Sequence, residues 1–209
     1  EAFRLMPTVG PSFERTNPRP AMPEVSGSLR IATFNVNNYF STVDSGSPIC
    51  GPTGESDCRG ADSEEELERQ LGKIVTVLQM MDSDVVALIE LENNASDSLR
   101  TLVDSLNAAT GSGTYDFVDA GTVGDDAIKV GFIFKPDAVR AAGEFALLDS
   151  SVDVRFDDSR HRPVLAQTFE SVANGERLTV LALHLKSKGS SCETSGDPDI
   201  GDGQSNCSA

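Results

Sequence analysis

The chain has 209 residues, 38% of them hydrophobic, enough for one ordinary domain with a core or for part of a larger one. No apolar run approaches the roughly 20 residues of a membrane-spanning helix, so the reading is of a chain without a membrane span. The formal net charge of −16 argues by itself against a nucleic-acid binder, which usually carries a basic footprint; solubility accounts for it, and so would metal ions that offset the charge locally.

The chain opens on Glu1 without a signal-peptide pattern and reads as a mature or excised piece. Residues 1–27 hold Pro7, Pro11, Pro18, Pro20 and Pro23 and few periodic apolar positions, the composition of a linker or extended arm leading from an upstream domain. Leu29 to Phe34 is a buried-strand candidate ending at Asn35. Residues 41–61 form a long loop. Ser63 with Glu66 predicts a capping box, and Leu67, Leu71, Ile74, Val75, Leu78 and Met81 recur at helical spacing, which predicts a helix over 63–82. Val85 to Ile89 is a short apolar run typical of a central strand covered on both faces, and it stops at Glu90.

Ser96 to Ala109 predicts a second helix, with Leu99, Leu102, Val103 and Leu106 on one face. Tyr115 to Val118 and Ile128 to Phe134 read as strands. Val164 to Val172 and Arg177 to Leu185 read as two more, joined across Asn174-Gly175, a short hairpin signal. Strands and helices mix without strict alternation, which predicts a mixed α/β layered sheet.

Four cysteines fall into two close pairs, Cys50 with Cys58 and Cys192 with Cys207, all in polar Gly/Ser/Asp-rich segments. The spacing is not that of a zinc site, and neither histidine is near a pair in sequence. Two local disulfides fit better than free thiols and imply an oxidising compartment. Closing each loop stabilises by roughly 2.5–3 kcal/mol on the chain-entropy view.

Asn35, Glu90 and His184 each stand at the end of an apolar strand, where α/β proteins build sites. A carboxylate at such a poorly solvated rim is costly without a cation partner, and an amide oxygen could share the ion. Oxygen donors of this kind suit Mg²⁺, Mn²⁺ or Ca²⁺. On spacing alone, however, a loop carboxylate and a turn-forming asparagine explain Asn35 and Glu90 better, and a lone histidine in an apolar strand is more often a hydrogen-bonded core residue. Lys186 shares a strand face with His184, and the pair could hold a phosphate oxygen. Arg160-His161-Arg162 and Lys129 add local positive charge, each also readable as a solvated cation.

Four segments in order resemble the endonuclease/exonuclease/phosphatase superfamily, and most nearly its bacterial extracellular nucleases, relatives of pancreatic deoxyribonuclease. They are Thr33 to Phe40, Asp84 to Asn93, Arg162-Pro163, and His184-Leu185-Lys186-Ser187-Lys188-Gly189. Thr16 to Pro20 is similar to the arm preceding the catalytic domain in those nucleases, and the likeness runs from about residue 14 to 209. The resemblance implies a four-layer α/β/β/α sandwich. Residues 28–209 would be its amino-terminal half, one mixed sheet covered by helices on one face, with the carboxyl-terminal half absent.

The resemblance also implies roles. Glu90 would be the principal metal carboxylate, with Asn35 helping to bind the ion, chiefly Mg²⁺. His184 would contact the scissile phosphate, and Arg162 and Lys186 would lie by substrate phosphates. Asp126 would orient the histidine. Leu183 departs from the pattern, where these nucleases often have Asn. The second-half motifs, a Gly-Asp-x-Asn and a terminal Asp-His pair, do not occur before Ala209. The implied protein is a secreted or cell-surface, monomeric, metal-dependent phosphodiesterase acting on DNA, with this chain alone inactive. Two rivals stand beside it: a phosphatase or sphingomyelinase of the same superfamily, and a non-catalytic acidic calcium-binding surface module.

Overall fold

The computed structural model describes residues 8–14, 16–17, 23–185, 198 and 200. Ten elements follow one another: β1 (Ile31–Tyr39), α1 (Glu64–Met81), β2 (Val85–Glu92), α2 (Asp97–Thr110), β3 (Asp116–Phe117), β4 (Ile128–Phe134), β5 (Val139–Ala141), β6 (Ala146–Leu148), β7 (Arg162–Ser171) and β8 (Arg177–His184). The described residues of the arm before Gly27 are exposed and belong to no helix or strand. Among the described residues no helix is long and apolar enough to cross a membrane.

The elements build an α/β fold with two sheets. The first has the order β1-β2-β4-β3, with β1 parallel to β2 and the other pairs antiparallel. Parallel neighbours need a crossover, and α1 supplies it. In the second sheet, β5 and β6 pair with successive parts of β7, and β8 pairs with it as well, all antiparallel. The expectation of a single sheet is therefore corrected: β5 to β8 already form a second one. The three-residue strands β5 and β6 are too short to show a periodic pattern.

Alternation along the strands separates the two cores. Val86, Leu88 and Ile133 face the helices and pack with Leu78, Leu99, Leu102 and Leu106. Val85, Ala87, Val130 and Phe132 face the other way and pack against Leu165, Phe169 and Ala182 of the second sheet. The layers thus run helices, first sheet, second sheet, with both helices on one face. Each fully buried Leu or Phe contributes about 2–3 kcal/mol by leaving water.

Local details differ from the sequence reading. The capping box does not form: Ser63 makes no side-chain cap, and the α1 entry rests on the backbone bond from Leu67 N–H to the Ser63 carbonyl. Three glutamates in the first turn still suit the positive end of the helix. The β7–β8 hairpin exists, but its turn is longer than two residues: Glu170 pairs with Arg177, and Gly175 takes the left-handed conformation the turn requires. Of the expected disulfides, Cys50–Cys58 is formed; Cys192 and Cys207 lie outside the described residues.

Lys129 belongs to the interior, not to a solvated basic cluster. It is 1% exposed and donates to the carbonyls of Ala95 and Gly121. Desolvation is the main cause that lowers its pKa to about 8 from the ordinary 10.5, with Asp119 and Asp97 opposing. Between those values the unfolded chain holds a proton that the folded chain lacks. Stability therefore rises with pH from about 8 to 10.5 and is lost as pH falls through that window. Urea unfolding across it should show wild type gaining roughly 3 kcal/mol relative to Lys129→Met; parallel pH profiles would show that the ammonium group is solvated.

Candidate active site

β1 and β2 run side by side and end at one rim of the first sheet, and the end of β8 reaches the same rim. Asn35 pairs in register with Ile89, but the next aligned pair is Tyr39 with Leu91. On its other side β2 aligns Ile89 with Val130 and then Leu91 with Lys129. Glu90 is thus the extra residue of a β-bulge, and its φ of 68° is left-handed. Leu88 and Leu91 both pack in the helix-side core, so the bulge resets the alternation and turns Glu90 out of both cores. Such a φ in a residue with a side chain costs on the order of 1 kcal/mol or more. Asn37 and Asn38, also left-handed at 56° and 53°, absorb the mismatch in β1; asparagine tolerates that region better than most residues.

The Glu90 carboxylate is gripped by neutral donors. Asn35 Nδ2 donates to Oε1 at 2.7 Å, and the Asn38 N–H donates to Oε2 at 3.1 Å. Asn35 Oδ1 in turn accepts the Asn37 N–H at 2.8 Å. Gln70 of α1 fixes the turn from outside by donating to the Asn37 carbonyl at 3.0 Å. His184 brings Nε2 to 3.6 Å from Glu90 Oε1, both side chains 19% exposed. Desolvation first, and the Arg162 charge second, lower the His184 pKa; Glu90 and Asp126 pull the other way. The net shift is downward, so at neutral pH the ring meets Glu90 uncharged and the contact is not an ion pair.

Arg162 faces His184 across the β7–β8 ladder. Its guanidinium donates to Asp126 Oδ2 at 2.9 Å, and Arg59 reaches Asp126 Oδ1 at 3.0 Å. Asp126 is hydrogen-bonded to these two arginines and to the Ile128 N–H, and not to His184. The histidine-orienting role expected of it is therefore not what its contacts provide. His184 Nδ1 and Arg162 Nε are buried without a hydrogen-bond partner among the described residues. Lys186 lies outside the described residues.

The support beneath these groups comes from residues to which the sequence reading gave no role. Glu92 is 1% exposed and accepts from the Ser41 and Thr42 N–H groups and from Asn94. Asn93, fully buried, donates to the carbonyls of Val123, Gly124 and Asp126 and accepts the Val123 N–H. It thereby holds the loop that presents Asp126. Gly124 in that loop is left-handed, and a Cβ there would come within 2.8 Å of Pro163, beside Arg162. Polar residues continuing directly after the apolar run of β2, within the Asp84 to Asn93 segment, were their signal in the chain. On the other side, the loop 41–61 is stapled by Cys50–Cys58 and packs on Phe40, Ala127 and Ile128, which delivers Arg59 to Asp126.

The donor set suits a hard cation. Glu90 carries the one carboxylate, Asn35 Oδ1 keeps a second lone pair, and Mg²⁺ is commonly bound through one or two carboxylates with water and substrate phosphate completing the shell. Among the described residues no three His, Cys, Asp or Glu side chains gather into a closed metal cage.

Asn93→Ala should destabilise the fold by about 3 kcal/mol, because it leaves several buried backbone groups unpaired. Urea denaturation measures this, and a loss below about 1 kcal/mol would show that the loop does not depend on Asn93.

No family model and no curated protein matches the chain. Among solved structures it is similar to an endonuclease/exonuclease/phosphatase family protein from Bacteroides thetaiotaomicron, at 14% identity and a TM-score of 0.49, over 84% of this chain and 52% of that one. A second such protein, from Bacteroides vulgatus, matches at 14% identity and a TM-score of 0.48, over 76% and 52%. A mannosyl-6-phosphatase from Bacteroides thetaiotaomicron matches at 14% identity and a TM-score of 0.47, over 84% and 54%. The chain thus resembles structures of the endonuclease/exonuclease/phosphatase family and spans about half the length of each.

Proposed function

We propose that residues 28–209 supply the cation- and phosphate-binding part of a secreted, divalent-metal-dependent phosphodiesterase that hydrolyses DNA. The observation that carries this reading is Glu90: a largely buried carboxylate, turned out of its strand by a bulge, whose contacts among the described residues are all neutral at pH 7. A carboxylate so placed is stabilised by a cation, and Mg²⁺ fits the donors. When bound, the ion would polarise a phosphoryl oxygen.

The chain's own residues do the rest. Asn35 and the Asn38 N–H hold Glu90 in one orientation. His184, uncharged, offers an N–H to a phosphate oxygen without bringing a positive charge against the ion. Arg162, braced by Asp126, places a fixed guanidinium beside His184, where charge develops as the phosphorus is attacked. Lys186 extends this set on sequence grounds alone. Export to an oxidising compartment accords with the Cys50–Cys58 disulfide. In this division of labour Glu90 is committed to the ion and His184 to the phosphate, so neither activates water and the chain by itself should leave plasmid DNA intact in Mg²⁺; robust nicking would overturn it.

Manganese titration followed by electron paramagnetic resonance tests the cation directly. Glu90→Gln should weaken binding at least about tenfold, on the order of 1.4 kcal/mol, with the melting temperature held. Equal affinity in the two proteins would remove the metal from the reading.

A further inference from the structure

A groove of about 440 Å³ opens between the end of β1 and α1, directly beside the Glu90 rim. The two are continuous, because Asn35 and Asn38 line the groove and also hydrogen-bond to Glu90. Its α1 wall carries the polar residues Glu66, Arg69, Gln70 and Lys73, spaced three and four residues apart and so on one helix face. Ile74 and Val77 of the same helix line the groove as well, and Ile74 leads on with Leu78 into the core. Arg59 also lines the groove and is bonded to Asp126 by the rim. Three cations and one carboxylate therefore line this groove, in a chain whose net charge is −16.

Arg59 is tied to Asp126 at 3.0 Å, but the two cations on α1 are not consumed by folding. The Lys73 side chain is exposed and makes no ion pair or hydrogen bond among the described residues. Arg69 pairs with Glu66 at 3.2 Å, but the arginine side chain is 62% exposed, and such surface pairs contribute little. Like charges one helical turn apart slightly destabilise the helix, so the Arg69–Lys73 pair needs another reason. The floor, by contrast, is fixed by Gln70 donating to the Asn37 carbonyl.

We infer that this groove carries the sugar-phosphate backbone next to the bond being cut, so that the substrate is a polynucleotide strand rather than a phosphate monoester or a lipid headgroup. The inference rests on the reading of the Glu90 rim as the scissile-phosphate site. Lys73 holds a backbone phosphate as a point charge and Arg69 through its guanidinium fork, and Arg59 positions the strand where groove and rim meet. Sequence selectivity is not expected, since phosphate contacts carry no base information.

The test is fluorescence anisotropy of a labelled single-stranded DNA 12-mer with the whole chain in magnesium buffer. Arg69→Glu with Lys73→Glu should weaken binding at least tenfold and lower the log–log salt slope by about 1.4, two contacts' worth on a single strand. The milder Arg69→Gln with Lys73→Gln should lose part of both, and it keeps the result readable if charge reversal perturbs α1. Inorganic phosphate and a mononucleotide, at equal phosphate concentration, should compete poorly. Unchanged affinity and slope in both variants, or full competition by inorganic phosphate, would overturn the groove whatever Glu90 does. Manganese binding that survives Glu90→Gln would overturn the cation reading whatever the groove does.

Discussion

Glu90 stands where water is scarce, on a strand whose apolar residues are drawn into two hydrophobic cores. A carboxylate in that position must find compensation or the strand must bend. The chain does both: a bulge turns the residue toward the rim, and an asparagine side chain and a backbone N–H take its two oxygens. The left-handed backbone at Glu90 and at Asn37 and Asn38 is the strain that this placement stores. Because Asn38 and Glu90 are joined directly, the strands cannot slip relative to one another without breaking the grip on the carboxylate.

Around this point the polar residues form a scaffold. Glu92 gathers the start of the loop after β1, and Asn93 gathers the loop before β4. Asp126 then receives arginines from two directions, one from the start of β7 and one from the disulfide loop. Each connection spans tens of residues in sequence, so the rim is a place where distant segments are tied, not a local motif. Its rigidity has the same origin as its burial: polar groups close to the core must be paired, and the pairs fix the loops.

This also explains which parts were legible in the chain. The 85–89 run and the stripes of α1 and α2 could be read because burial leaves a periodic trace. Asn35, Glu90 and His184 stood out for the complementary reason, as polar residues at the ends of apolar strands. The bulge left no trace, since it comes from a register mismatch between β1, β2 and β4. Asp126 looked like a partner for a histidine and is a partner for arginines, a choice made by the arrival of the 41–61 loop. Lys129 looked like a surface cation because nothing nearby in sequence shows that Ala95 and Gly121 turn their carbonyls toward it. Ser63 and Glu66 match a capping pattern, yet Glu66 turns to Arg69 and the Asp62 N–H instead.

The 41–61 loop leaves and returns at nearly the same place, with the Asp44 N–H bonded to the Ala61 carbonyl at 2.8 Å. It is a closed excursion, and the two arcs of such a loop differ in tolerance. Its outer arc, from Gly46 to Ile49, is exposed. Added residues there would lengthen the excursion without moving either end. The return from Cys58 to Ala61 has no such slack, because it meters the reach of Arg59. Length variation in this protein should therefore collect before the first cysteine and stay out of the four residues that begin at the second.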